Sequence, residues 1–153
     1  MNLRLVEDLD IRGFGARMEI MSPDGTTRYF SQEELQCPAT HIVKLAEGFG
    51  ECLMALRFSW GLPMIVNSCC RSEDHNDSIG GHDRSLHVYD HPFHPTGGTC
   101  AIDLRIINGT QRGNLIALAW GSGWSVGVAQ TFVHLDRRTD NAGLAQKLYP
   151  YGA

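Results

Sequence analysis

The chain has no apolar run approaching the roughly 18 residues that a membrane span requires, so no membrane insertion is expected. Its first ten residues, MNLRLVEDLD, contain acids and no apolar core of the kind an export signal needs, which makes the cytosol the expected place of synthesis. Cysteine is sparse and irregular: Cys37, Cys52, Cys69, Cys70 and Cys100 are odd in number, and two are adjacent. That pattern excludes a regular disulfide framework, and the adjacent pair lacks the two-residue spacing of a zinc finger or a redox dithiol. Charge of one sign is scarce too. A formal net charge of −4 gives no general pull toward nucleic acid or an anionic membrane, so no nucleic-acid partner is expected. Internal repeats and low-complexity tracts are also lacking.

What remains is an ordinary globular composition over 153 residues, the size of one domain. Such a chain buries enough surface to fold without a disulfide or metal staple.

Residues 1–28 alternate weakly and break at Pro23-Asp24-Gly25, which reads as an N-terminal extension or hairpin ahead of a main domain at 29–153. The SQEE stretch at 31–34 matches a capping box and opens a short helical turn. From Thr40 to Trp60 the apolar residues Ile42, Leu45, Ala46, Phe49, Leu53, Leu56 and Trp60 recur at helical spacing. This predicts one long amphipathic helix that stops at Gly61. PMIVN at 63–67 reads as a short buried strand. Residues 68–99 show no apolar periodicity and are rich in Gly, Ser, Asp, His and Pro, the composition of a long functional loop. Strands are expected in CAIDLRII, SVGV and TFVHLD, with a turn at Asn108-Gly109 and a short helix over Arg112–Trp120. The sum is an α+β single domain: a small, mainly antiparallel sheet, one long amphipathic helix and a long active-site loop.

Three residues stand out chemically. His87, Asp103 and His134 are of the types that zinc takes, and three protein ligands leave a fourth position open. Asp103 lies in an apolar strand, where an ionised carboxylate needs a partner. On spacing alone two readings stand: a metal site, or a satisfied strand histidine with a loop-capping aspartate. Trp120 and Trp124, separated by GSG, suit a core edge or a sugar-stacking platform. Cys69, Cys70 and Cys100 flank the three residues as packing groups or soft ligands, and a thiol chemistry built on Cys69-Cys70 is a further alternative. Arg137, Arg138 and Asp140 read as a solvated charged end.

The order of motifs is more specific than any one of them. The chain reads PMIVNSCCRSEDHN over 63–76, then Gly80-Gly81, then SLH at 85–87, AID at 101–103 and FVHLD at 132–136, preceded by YFSQEELQC at 29–37. This series resembles the M15 zinc peptidases, of the D-alanyl-D-alanine carboxypeptidase and phage endolysin type. The resemblance implies that His87, Asp103 and His134 hold Zn²⁺. It also implies that Arg71 grips a peptide carboxylate or the developing oxyanion, and that Asn76 and Ser85 organise the loop. Peptidoglycan stem peptides would be the substrate, cut by a carboxypeptidase or an endopeptidase. A phage-encoded protein, released to the cell wall or carried in a virion, fits the lack of an export signal. Oligomeric state is left open.

The pattern departs from that family in two places. Fifteen residues separate His87 from Asp103, more than in most relatives, and the extra segment brings His91 and His94 as alternative ligands. Many relatives also carry a carboxylate three residues before the last histidine as general base, where this chain has Thr131. Asp136, two residues beyond His134 on the same strand face, is then a candidate base or a partner that orients a ligand histidine. If neither Asp136 nor a loop residue (Asp90, His91, His94) acts as base, the chain becomes a catalytically inactive, zinc-stabilised cell-wall-binding or virion structural module.

Overall fold

The computed structural model describes residues 5–9, 16–91 and 96–151. Strands β1 (Leu5–Leu9), β2 (Ala16–Met21) and β3 (Arg28–Phe30) form a three-stranded antiparallel sheet. The β2–β3 turn is tied by Asp24, whose Oδ1 accepts from Ser22 Oγ at 2.7 Å and Thr26 Oγ1 at 2.8 Å. Helix α1 (Gln32–Leu35) follows, with Ser31 and Glu34 exchanging the reciprocal hydrogen bonds of a capping box.

Helix α2 (Phe49–Trp60) begins nine residues later than the spacing from Thr40 suggests. Gly48 stops it from extending upstream: at φ +79° it adopts a left-handed conformation that no helix interior takes. Residues 44–46 pair instead with Thr99, through Ala46 N–H to Thr99 O at 2.9 Å and Thr99 N–H to Lys44 O at 2.8 Å. Ala46 is thus buried and Leu45 half-buried by strand-like pairing, which periodicity cannot tell from a helical face. Nor is α2 the single dominant helix. Helix α4 (Gly109–Gly121) is as long, and Asn108 is its N-cap, accepting from Gln111 N–H.

A second sheet has the order β4-β5-β7-β6-β8, from β4 (Val66–Ser68), β5 (Ala101–Arg105), β6 (Ser125–Val128), β7 (Phe132–Asp136) and β8 (Leu148–Pro150). All its pairings are antiparallel except β6 with β8. Helix α3 (Glu73–Ser78) lies in the stretch expected to be all loop; its polar face has no apolar period, but Ser72 caps it by accepting from His75 N–H. Helix α5 (Arg138–Asn141) is one short turn after β7.

The period of two along β5 and β7 sorts the two faces of this sheet. Ile102, Leu104, Val133 and Leu135 are buried in the core with Leu53, Met54 and Leu115 of the helices. Trp124 joins them, edge-on to Phe49 at 5.8 Å between ring centroids, so it is a core residue while Trp120 is exposed. Asp103, His134 and Asp136 point to the opposite face and are buried there as well. Among the described residues no helix is long and apolar enough to cross a membrane.

Candidate metal centre

The site is built from one antiparallel register. Asp103 of β5 lies directly opposite His134 of β7, and Ala101 opposite Asp136, so the three polar residues share one face. His87 arrives from the long loop. Its backbone is anchored to the segment after β4, where Arg71 N–H donates to His87 O at 2.9 Å and Thr99 Oγ1 donates to the same carbonyl at 2.7 Å. Ser85 Oγ accepts from His87 N–H at 3.3 Å. His87, Asp103 and His134 each offer one ligand atom, and these atoms lie within 4.8 Å of one another.

Hydrogen bonding fixes what each imidazole can do. A carbonyl only accepts, so the 2.7 Å contact between His87 Nδ1 and Cys69 O makes Nδ1 the protonated nitrogen. In the neutral ring, Nε2 then carries a bare lone pair and faces Asp103 Oδ1 at 3.1 Å. Burial lowers the pKa of this completely buried histidine, which disfavours a second proton. A lone pair against a carboxylate oxygen is repulsive unless a cation stands beside both. His134 shows the same need: Nδ1 faces Asp103 Oδ1 and Nε2 faces Asp136 Oδ2, each at 2.9 Å. Burial alone would lower its pKa, but hydrogen bonds to Asp103 and Asp136 outweigh that and raise it.

Both carboxylates are held ionised. Burial works against the charge of Asp103, but the hydrogen bond with His134 helps to keep its pKa below the ordinary carboxylate range. For Asp136, likewise, burial is outweighed by hydrogen bonds from Arg138 and His134, and the pKa falls to about 2. The oxygens of Asp136 are fully engaged. Oδ1 accepts from Arg138 N–H at 3.1 Å and Arg138 Nε at 2.9 Å, while Oδ2 accepts from an Arg138 Nη2 proton at 2.7 Å and faces His134.

Arg71 borders the group, buried and tied down. Its Nε donates to Ser68 Oγ at 2.9 Å, Nη1 to Asn76 Oδ1 at 3.2 Å and Nη2 to Asp103 Oδ2 at 3.4 Å. Asn76 in turn donates to His82 O at 2.9 Å. Gly81 leaves room for it, since a Cβ there would sit 2.0 Å from Asn76 Oδ1. The serine, arginine, asparagine and glycine of the motif are thus one interlocked unit.

The other candidates fall elsewhere. His91 Nε2 contacts the carbonyl of Asp83, and His94 lies outside the described residues. Asp90 accepts from Glu73 N–H at 2.8 Å, at the start of α3. Thr131 is exposed and gives its carbonyl to Ile106 N–H. All five cysteines are free, and none joins the ligand cluster among the described residues. A hydrogen bond with Cys70, together with burial, pushes the Cys69 thiol well above its ordinary range, and burial pushes Cys100 up to about 12. The Cys69 and Cys100 thiols are therefore poor nucleophiles, while the hydrogen bond with Cys69 lowers the pKa of the buried Cys70.

Sequence reasoning passed over two groups of contacts. The Cys69 carbonyl that sets the His87 tautomer is backbone, and no side-chain pattern reveals it. Arg138, read as part of a solvated end, instead clamps Asp136; its closeness to the HLD stretch was the available signal. Arg137 lies over the Trp124 ring and pairs with Asp140.

No curated protein and no solved structure gives a significant match to the chain. A family model described as Peptidase M15 matches residues 27–136, from just before β3 through the last site aspartate. That match covers most of the chain and every residue of the cluster, and on it the chain belongs to the Peptidase M15 family.

Proposed function

We propose that the protein is a zinc-dependent peptidase that hydrolyses amide bonds in peptidoglycan stem peptides. The observation that carries this reading is the pair of buried imidazole nitrogens converging on one carboxylate oxygen, an arrangement that calls for a cation. Two neutral imidazoles and a carboxylate are a donor set suited to zinc, with a position left for substrate or water. His87 through Nε2, Asp103 through its carboxylate and His134 through Nδ1 would hold the ion. Bound there, zinc would polarise a scissile carbonyl and make water more acidic.

The chain's own residues do the rest. The Cys69 carbonyl and Asp136 each hold the proton on the outward nitrogen of a ligand imidazole, which keeps the inward nitrogen bare. Ser68, Asn76 and Asp103 engage three of the five N–H groups of Arg71. The remaining two are suited to a peptide carboxylate or a developing oxyanion, and the fork is held rigid for that task. Asp136, with every oxygen already engaged, acts through His134 rather than as the general base.

The alternative is an inactive, zinc-stabilised cell-wall-binding or virion module. It draws on Thr131, which stands where relatives keep a carboxylate. Elemental analysis of purified wild type beside His134→Ala, followed by digestion of peptidoglycan fragments, separates the readings. About one zinc per chain, lost in the variant, with release of stem-peptide fragments is the expected result. Zinc without cleavage supports the binding module, and a wild type that takes no zinc removes both.

A further inference from the structure

The segment after Asp136 lies beyond the family match, yet three of its side chains close on the metal centre. Arg138 clamps Asp136, and Tyr149 Oη lies 3.1 Å from the same Arg138 Nη2. Strand β8 runs parallel beside β6, and the pairing continues as Tyr151 N–H donates to Val128 O at 3.0 Å. This brings the Tyr151 ring flat onto the His134 imidazole, with centroids 4.5 Å apart and planes 8° apart. Phe132 meets Tyr151 edge-on at 5.6 Å.

Gly127 is what makes the stack fit. It lies opposite His134 in the β6–β7 register, and a Cβ there would sit 2.9 Å from Tyr151 Cδ2 and 3.1 Å from Tyr149 Cζ. Tyr151 also lines an open cleft of about 640 Å³, together with Arg112, Val128, Phe132 and Pro150.

We propose that Tyr151 is a positioning residue for His134 and the wall between the metal centre and a substrate cleft. This rests on the zinc-peptidase reading. Asp136 and Asp103 face the two nitrogens of His134, which leaves the ring free to tilt about the line through them. A flat aromatic face removes that tilt, as a partner behind a ligand must if the inward nitrogen is to stay aimed.

The test uses the full chain loaded with zinc or cobalt, as wild type, Tyr151→Phe, Tyr151→Leu and Gly127→Ala. Zinc affinity is read by chelator competition, ligand geometry by the visible spectrum of the cobalt form, and kcat and KM on a stem peptide ending in D-alanyl-D-alanine. Tyr151→Phe keeps the ring and should match wild type in zinc affinity and cobalt spectrum. Tyr151→Leu should lose about tenfold or more in zinc affinity, within the range for groups that support a ligand, change the cobalt spectrum and raise KM. Gly127→Ala, which displaces Tyr151 without altering it, should do the same and stands in if Tyr151→Leu does not fold. Wild-type affinity and spectrum in both ring-displacing variants overturn the positioning role, and an unchanged KM overturns the cleft wall. If wild type binds zinc but cuts nothing, only the hydrolase reading fails. Zinc affinity and spectrum then still decide the positioning role, and calorimetric titration with the same peptide replaces KM.

Discussion

At the scale of single residues, chemistry depends on which nitrogen of each histidine is bare. His87 is held by a main-chain carbonyl and His134 by a carboxylate, so the two aim a nitrogen at Asp103 by different means. The second means can be tested by substitution. Asp136→Asn keeps the shape but weakens the acceptor that His134 and Arg138 share. We expect zinc affinity to fall about 10- to 100-fold, as for other partners of metal-ligating histidines, with hydrolysis falling in proportion. A base role predicts a different result: cleavage abolished and zinc affinity unchanged. Chelator competition and peptide hydrolysis on the same preparation distinguish the two. His87, Asp103 and His134 were legible from residue type and motif order. Their protonation was not, because it depends on partners such as Cys69 O, 18 residues away in sequence.

At the scale of elements, strands were read more faithfully than helices. Alternation in FVHLD placed His134 and Asp136 on a common face, since within one strand the period of two leaves little choice; that Asp103 joins them was decided by the β5–β7 register. The helix expected from Thr40 fails because one left-handed glycine, Gly48, overrides eight residues of suitable spacing. Strand β8 was missed because three residues at the chain's end carry no pattern of their own. Two glycines make opposite predictions here. Gly81→Ala would drive a methyl into Asn76 and loosen its hold on Arg71, costing about 1–3 kcal/mol as overpacking does. Gly113→Ala lies inside α4 with nothing within 4 Å and should stabilise by about 0.5–1 kcal/mol. Thermal unfolding of both variants checks the signs.

At the scale of the whole molecule, one face of the five-stranded sheet packs on α2 and α4, and the other holds buried charge. Asp103 and Asp136 lie buried against Arg71, Arg138 and His134, and an ion held there is bound by the folded chain alone. Zinc at about 100 times its dissociation constant should therefore add about 2.7 kcal/mol of stability. For a chain of this size that corresponds to a rise of roughly 5–10 °C in Tm. Calorimetry with zinc, then with excess chelator, checks it; a Tm indifferent to both would count against the site. By itself, the sequence determined the α+β class and the strand faces, because local period is written along the chain, and the family resemblance carried by its motif order pointed to the three converging residues. Only the tertiary structure decided which nitrogens are bare, that Asp136 is spoken for by Arg138, and that Tyr151 closes over His134. Each of those depends on groups brought together across strands, where sequence spacing carries no distance.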